Sequence, residues 1–215
     1  MPYSGARDPR SPAVVKVLVV DDHPALRAGL ESLLGQEEGF VSLGALADDR
    51  DVTDAIEESR PDVVILDHAL DGGDGLRACF RIKQLRDAPG VVLYSGYVDS
   101  VFAVPAALAQ ADAIVSKSAP VDELLTAVWS VAAGEQSMPP LDRDAMAAAS
   151  SRLGVEDLPV VGMLFARIGV DEIAETLDVS PDTVRLRALR IIGDLQARDR
   201  FGTRAHVREA ELALG

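Results

Sequence analysis

Pro61-Asp62-Val63-Val64-Ile65-Leu66-Asp67-His68-Ala69-Leu70-Asp71-Gly72-Gly73-Asp74-Gly75-Leu76 is the stretch that decides the reading of this chain. Four apolar residues, three of them β-branched, run into the carboxylate of Asp67; a glycine-rich turn follows, and helical spacing resumes at Leu76, Cys79 and Ile82. A short apolar run bounded by turn residues reads as a strand buried on both faces of a parallel sheet. It delivers one acid to the carboxyl edge, where the loops of an open α/β sheet line a crevice for ligands. An acid ending a buried strand is costly without a partner, so Asp67 is a candidate for chemistry.

Four further strand-helix pairs surround this one. Val14 to Val20 is apolar apart from Lys16 and ends at Asp21-Asp22-His23-Pro24, ahead of helical spacing at Leu26, Leu30, Leu33 and Leu34. Phe40 to Ala47 reads as a second strand and Asp51 to Arg60 as a second helix. Gly90 to Tyr94 makes a fourth strand ending at Ser95-Gly96; a helix through Val101, Val104 and Leu108 follows, with Pro105 expected to interrupt it. Ala113 to Val115 is a short fifth strand ending at Ser116-Lys117, and Pro120 opens a helix with Leu124, Leu125, Val128 and Val131 inward. Five such repeats predict a doubly wound parallel sheet with right-handed crossovers.

Beyond Glu135 the character changes. Gln136 to Ser151 holds Pro139-Pro140 and an Ala-rich run, and reads as a linker ending in a short helix. Asp157 to Ile168, Asp171 to Leu177, Pro181 to Gln196 and Thr203 to Leu214 then read as short helices without strands. Ser180 before Pro181 suits an N-cap, and Asp178-Val179-Ser180 a tight inter-helix turn. The expected organisation is a loose tail over 1–13, an α/β domain over 14–135, a linker over 136–151 and a small all-α domain over 152–215.

The net charge of -14 and pI near 4.5 argue against general adhesion to polyanions, so any nucleic-acid contact needs a local basic face. Residues 138–215 carry ten Arg, no Lys and thirteen acids, a net of -3; residues 1–137 carry eleven bases and twenty-two acids, a net of -11. The acidity therefore belongs mostly to the first domain. A single cysteine, Cys79, on the core side of a helix excludes a disulfide framework and points to a reducing cytoplasm. The start lacks a signal-peptide apolar block, and no later run is long enough to span a bilayer.

Polar groups end four strands: Asp21 and Asp22, Asp67, Ser95, and Lys117. With strand order 2-1-3-4-5, strands one and three are neighbours at the switch point and three carboxylates converge there. Such a cluster repels itself unless a cation joins it, and oxygen ligands favour Mg²⁺. Asp67 would act as nucleophile toward phosphorus, with Lys117 and the metal neutralising phosphoryl oxygens and Ser95 donating a hydrogen bond. Singly, Asp22 reads equally as a helix cap, Ser95 as a turn residue and Lys117 as a solvated lysine. His23 and His68 flank the acids but, by strand alternation, are expected to point away from the crevice.

Asp21-Asp22, Leu66-Asp67 with Asp74-Gly75-Leu76, Ser95-Gly96 and Lys117, in that order and spacing, resemble the receiver domain of bacterial response regulators. The resemblance covers residues 14–135 and implies a flavodoxin-like fold. It implies that Asp67 accepts phosphate from a sensor histidine kinase. It further implies that Asp22, Asp67 and the Ala69 carbonyl bind Mg²⁺, that Asp21 assists through water, and that Ser95 and Lys117 contact the phosphoryl group. Asp71 stands where the family often has proline, and Ile114 where it has a switch aromatic, so Ser95 and Ile114 are the switch candidates. Ala69 and Tyr97 flank the phosphoryl position.

Asp171-Glu172-Ile173-Ala174-Glu175-Thr176-Leu177, Ser180 and Thr183-Val184 resemble the helix-turn-helix of NarL/FixJ (LuxR-type) regulators, and also the fourth region of sigma factors. The family's leading Leu-Thr-x-Arg-Glu pattern is replaced here by Leu153-Gly154-Val155-Glu156-Asp157. The resemblance implies that the helix from Pro181 reads double-stranded DNA, with Thr183, Arg185, Arg187 and Arg190 as contacts. It also implies a homodimer through Thr203 to Leu214 when active, and a resting state in which the receiver covers the recognition helix. Leu186 and Asp194 depart from the family's usual polar and basic residues, and Asp182 and Asp194 offer the arginines ion pairs instead. A phospho-regulated protein-interaction module, docking on polymerase or a sigma or anti-sigma factor, is the alternative. A stand-alone phosphatase is disfavoured, since no segment reads as a cap domain or substrate pocket.

Overall fold

The computed structural model describes residues 14–71, 73–96 and 98–197, which fall into two compact units. In chain order the elements are β1 (Val15–Val20), α1 (Pro24–Gln36), β2 (Phe40–Leu46), α2 (Val52–Ser59), β3 (Val63–Asp67), α3 (Gly75–Lys83), β4 (Gly90–Ser95), α4 (Ser100–Leu108), β5 (Ala113–Ser116), α5 (Val121–Ala132), α6 (Arg143–Ser150), a 3-10 turn at Val155–Asp157, α7 (Leu158–Phe165), α8 (Val170–Leu177) and α9 (Pro181–Ala197).

The first unit, within residues 14–98 and 111–139, is built on a five-stranded parallel sheet of order β2-β1-β3-β4-β5. Val20 pairs with Leu66, Asp67 with Tyr94, and Ser95 with Ser116, so the carboxyl ends of the central strands finish in step. Alternation along the strands sends Val17, Val19, Ile65, Val92 and Val115 into one layer with Leu30 and Leu34 of α1 and Leu124, Val128 and Val131 of α5. Leu18, Val64, Leu66 and Leu93 take the opposite phase, and α3 packs on β3 and β4 with Leu76, Cys79, Phe80 and Ile82 fully buried. Cys79 is a buried free thiol, filling space as a small hydrophobe.

The second unit is drawn from residues 99–110 and 140–197. Its α4 is continuous through Pro105, contrary to the expected interruption. Pro105 lacks the amide that would reach the Val101 carbonyl one turn back, and Val101 is 40% exposed. A helix apolar on nearly all sides needs cover, and α4 packs against α6, α7 and α9. Val160, Leu164, Ile173, Ala174, Val184, Ala188, Ile191 and Ile192 form the buried interior of α7 to α9. Asp178, in the left-handed region at φ 53°, ends α8, and Ser180 Oγ accepts from the Thr183 amide at 3.2 Å to open α9. The first predicted helix of this region is shorter than expected, because the chain leaves it at Phe165 and turns through a left-handed Arg167. The linker ends in the expected short helix, α6.

The tail at 1–13, Tyr97 and the helix expected over Thr203 to Leu214 lie outside the described residues. Among the described residues no helix is long and apolar enough to cross a membrane.

Candidate functional site

Three strand ends and one loop meet at the carboxyl edge of the sheet. Asp21, just past β1, and Asp67, the last residue of β3, are 1% and 2% exposed, and Ser95 ends β4 fully buried. Lys117, just past β5, spans them: its Nζ donates to Asp21 Oδ2 at 2.7 Å and to Asp67 Oδ2 at 2.7 Å. Its backbone amide donates to the Ser95 carbonyl at 2.7 Å, which ties the lysine loop to the neighbouring strand. Of the duller readings, the solvated lysine fails on this geometry.

Backbone donors hold the remaining carboxylate oxygens. The Ala69 amide donates to Asp67 Oδ1 at 3.0 Å, and the Asp71 amide to Asp22 Oδ2 at 2.8 Å. A proline at 71 would lack that donor. The residue opening α1 is His23 rather than Asp22, and its side chain makes no cap bond. Gly75 packs against the back of the same strand end, where a Cβ would lie 2.1 Å from the Asp67 carbonyl oxygen and 2.6 Å from His68 Cα. Asp74 caps α3 by accepting from the Leu76 and Arg77 amides at 3.1 and 3.2 Å, fixing the turn beyond Asp67.

Burial by itself would lower the Lys117 pKa, but hydrogen bonds and attraction from Asp21 and Asp67 outweigh it and raise the value above 10.5. Tyr94 is also raised, first by burial, with the Lys117 charge 6.0 Å from its ring opposing the shift.

His23 corrects the expectation drawn from strand alternation. β1 has ended at Val20 and the backbone is already turning into α1, so a two-residue alternation no longer applies. His23 Nδ1 lies 2.6 Å from Asp22 Oδ1, 3.2 Å from Asp21 Oδ1 and 3.8 Å from Asp67 Oδ2. His68 is also nearer than expected, its Nδ1 3.7 Å from Asp67 Oδ1. The signal for the turn that swings His23 inward is Pro24, which starts a helix directly after it.

Asp21, Asp22, His23 and Asp67 each offer a ligand atom, all within 4.8 Å of one another. Asp22 Oδ1 is buried without a hydrogen-bond partner. Three carboxylates facing one lysine, with an orphaned oxygen among them, suit a divalent cation. Ile114, the switch candidate, is 8% exposed in β5, where it pairs with Leu93.

The arginines proposed for DNA are all engaged by acids or carbonyls of their own unit. Arg185 reaches Asp182 at 2.8 Å and Asp171 at 3.5 Å; Arg187 donates to the Glu156 carbonyl at 3.1 Å. Arg190 binds Asp157 at 2.6 Å and Asp194 at 3.2 Å, and the buried Asp157 holds the Arg190 guanidinium above its usual pKa. Asp157, 1% exposed, reads in the sequence only as the start of a helix, and its partner Arg190 lies 33 positions away. Thr183 is exposed, and Leu186 is 70% exposed on the same helix.

This geometry sits within a wider set of related proteins. The response regulator receiver domain family matches residues 17–129. Response regulator GacA of Pseudomonas aeruginosa is 30% identical over 194 residues, 85% of this chain and 90% of that protein. The crystal structure of a LuxR-family two-component response regulator from Aurantimonas sp. SI85-9A1 superposes with a TM-score of 0.56 at 29% identity, covering 64% of this chain and 99% of that one. The signal receiver domain of the putative response regulator NarL from Mycobacterium tuberculosis does so with a TM-score of 0.54 at 27% identity, covering 58% of this chain and 100% of that one. The chain therefore belongs to the response regulators, and within them to the NarL/FixJ type.

Proposed function

We propose that Asp67 accepts a phosphoryl group from the phosphohistidine of a sensor histidine kinase, and that the added charge governs the output of the α8–α9 helix-turn-helix. The observation that carries this is the Lys117 bridge between Asp21 and Asp67, a cation already held where phosphoryl oxygens need one. An Asp67 oxygen attacks phosphorus, the P–N bond breaks, and its electron pair returns to the imidazole nitrogen of the kinase. Ala69 and Lys117 orient the nucleophile through the bonds already described, and Ser95 at the end of β4 donates to the transferred group. A Mg²⁺ ion held by Asp22, Asp67 and the Ala69 carbonyl, with Asp21 assisting, would supply further charge neutralisation. No substrate turnover is implied beyond the chain's own phosphorylation and its hydrolysis.

For output, α9 enters the major groove of double-stranded DNA with Thr183, Arg185, Arg187 and Arg190, in a cytoplasmic homodimer formed on phosphorylation. A second reading is favoured by one observation: Arg185 and Arg190 pair with acids of their own unit, Arg187 is held by the Glu156 carbonyl, and Leu186 stands exposed among them. That surface suits a protein partner such as polymerase or a sigma or anti-sigma factor. Treating the full chain with acetyl phosphate and Mg²⁺ and then selecting from random duplexes separates the two. Enrichment of a half-site repeat by the phosphorylated chain, absent with Asp67→Asn, supports DNA reading; no enrichment supports the protein partner.

A further inference from the structure

We propose that His23 is a nitrogen ligand of the divalent cation in the acidic pocket, and that it biases the pocket toward borderline transition ions such as Mn²⁺ and Co²⁺ over Mg²⁺. This deepens the pocket reading above and rests on it.

The spacing is the first support. Neighbouring donors of a six-coordinate ion bound at roughly 2.1 Å stand about 3 Å apart, and opposite donors about 4.2 Å apart. His23 Nδ1 lies 3.2 Å from Asp21 Oδ1, near the spacing of neighbouring donors, 2.6 Å from Asp22 Oδ1, which is tighter, and 3.8 Å from Asp67 Oδ2, between the two ranges. The four ligand atoms together fit within 4.8 Å.

The second support is the state of Asp22 Oδ1. Two lone pairs 2.6 Å apart repel unless something positive lies between them. Yet this oxygen is buried and accepts no hydrogen bond of usable geometry, from His23 or any other donor. The imidazole Nδ1 is instead hydrogen-bonded with Asp21 Oδ1 at 3.2 Å, which leaves Asp22 Oδ1 beside the ring as the buried oxygen whose charge a shared cation would balance.

The third support is how the ligands are held. The Asp71 amide fixes the other oxygen of Asp22, and Ala69 and Lys117 fix Asp67. The His23 backbone amide itself donates to Asp21 Oδ1 at 2.7 Å, which sets the imidazole beside that carboxylate. An imidazole in place of one oxygen ligand favours ions that bind nitrogen well, and Mg²⁺ is not among them.

The test uses the full, tag-free chain and bare Mn²⁺ and Mg²⁺. Pulsed paramagnetic resonance of the Mn²⁺ complex should show coupling to one nitrogen, lost in His23→Asn and kept in His68→Asn. Asparagine can still open α1, and thermal melts check that the variant folds. Calorimetry should show the preference for Mn²⁺ over Mg²⁺ falling about tenfold in His23→Asn, the low end for loss of a group supporting a metal site. Mg²⁺ binding and labelling by acetyl phosphate with no nitrogen coupling and an unchanged preference would overturn the proposal while leaving the pocket reading intact. Failure of both ions to bind would overturn both.

Discussion

The backbone amide of Asp71 donates to Asp22 Oδ2 at 2.8 Å, joining the turn after β3 to the turn after β1 across 49 positions of sequence. This donor exists because residue 71 is not proline. Asp71→Pro removes it and frees Asp22 to rotate, so divalent affinity should fall by roughly tenfold, as for other supporting groups at metal sites. Calorimetric titration with Mg²⁺ measures this; an unchanged affinity would show that Asp22 needs no such support.

Lys117 stands between two nearly fully buried carboxylates, and Lys117→Met leaves them facing each other. Losing one partner of a buried pair costs about 3 kcal/mol, to be read by urea denaturation in chelator, with part recovered on adding Mg²⁺. The raised Lys117 pKa sets the sign with pH. A group whose pKa rises on folding stabilises below its unfolded value and loses that contribution as pH climbs through its folded value. The stability gap between wild type and Lys117→Met should therefore be full below pH 10.5 and shrink above it. A gap that is flat through the alkaline range would contradict the bridge.

Gly75→Ala places a Cβ 2.1 Å from the Asp67 carbonyl oxygen, against backbone that cannot rotate away. The end of β3 must move, at a cost of about 2 kcal/mol by the usual range for overpacking. Denaturant titration should show the loss, and Mg²⁺ affinity should drop with it because the displaced strand carries Asp67. A neutral substitution would mean that the α3 turn yields instead.

Asp182 and Asp194 hold Arg185 and Arg190 in the α9 surface. If α9 reads DNA, Asp182→Asn and Asp194→Asn release cations toward phosphate, and the slope of log affinity against log salt should steepen by about 0.9 for each new phosphate contact. Fluorescence anisotropy at several salt concentrations reads this. No binding by wild type or either variant would favour a protein partner.

The sheet and its edge were legible because they depend on local pattern: β-branched runs name the strands, and Asp21, Asp67, Ser95 and Lys117 each follow at once from a strand end. What was not legible depends on turns and on pairings distant in sequence. His23 points inward although strand alternation predicts outward, because β1 ends at Val20 and the alternation ends with it. The Asp71 amide that holds Asp22 is a backbone donor, which a pattern of side chains does not announce. Asp157 and Arg190 meet across 33 positions, between a 3-10 turn and a long helix, and nothing local announces such a pair. Pro105 does not break α4; local propensity takes no account of the cover that α6, α7 and α9 give this apolar helix.

If Asp67 is the group that takes up phosphorus, in a pocket completed by a divalent ion, intact mass spectrometry of the full chain after incubation with acetyl phosphate should reveal it. A single phosphoryl adduct should form with Mg²⁺ present, be absent with chelator and be absent in Asp67→Asn. An adduct that survives Asp67→Asn, or none on the wild-type chain with Mg²⁺ and donor in excess, would contradict it.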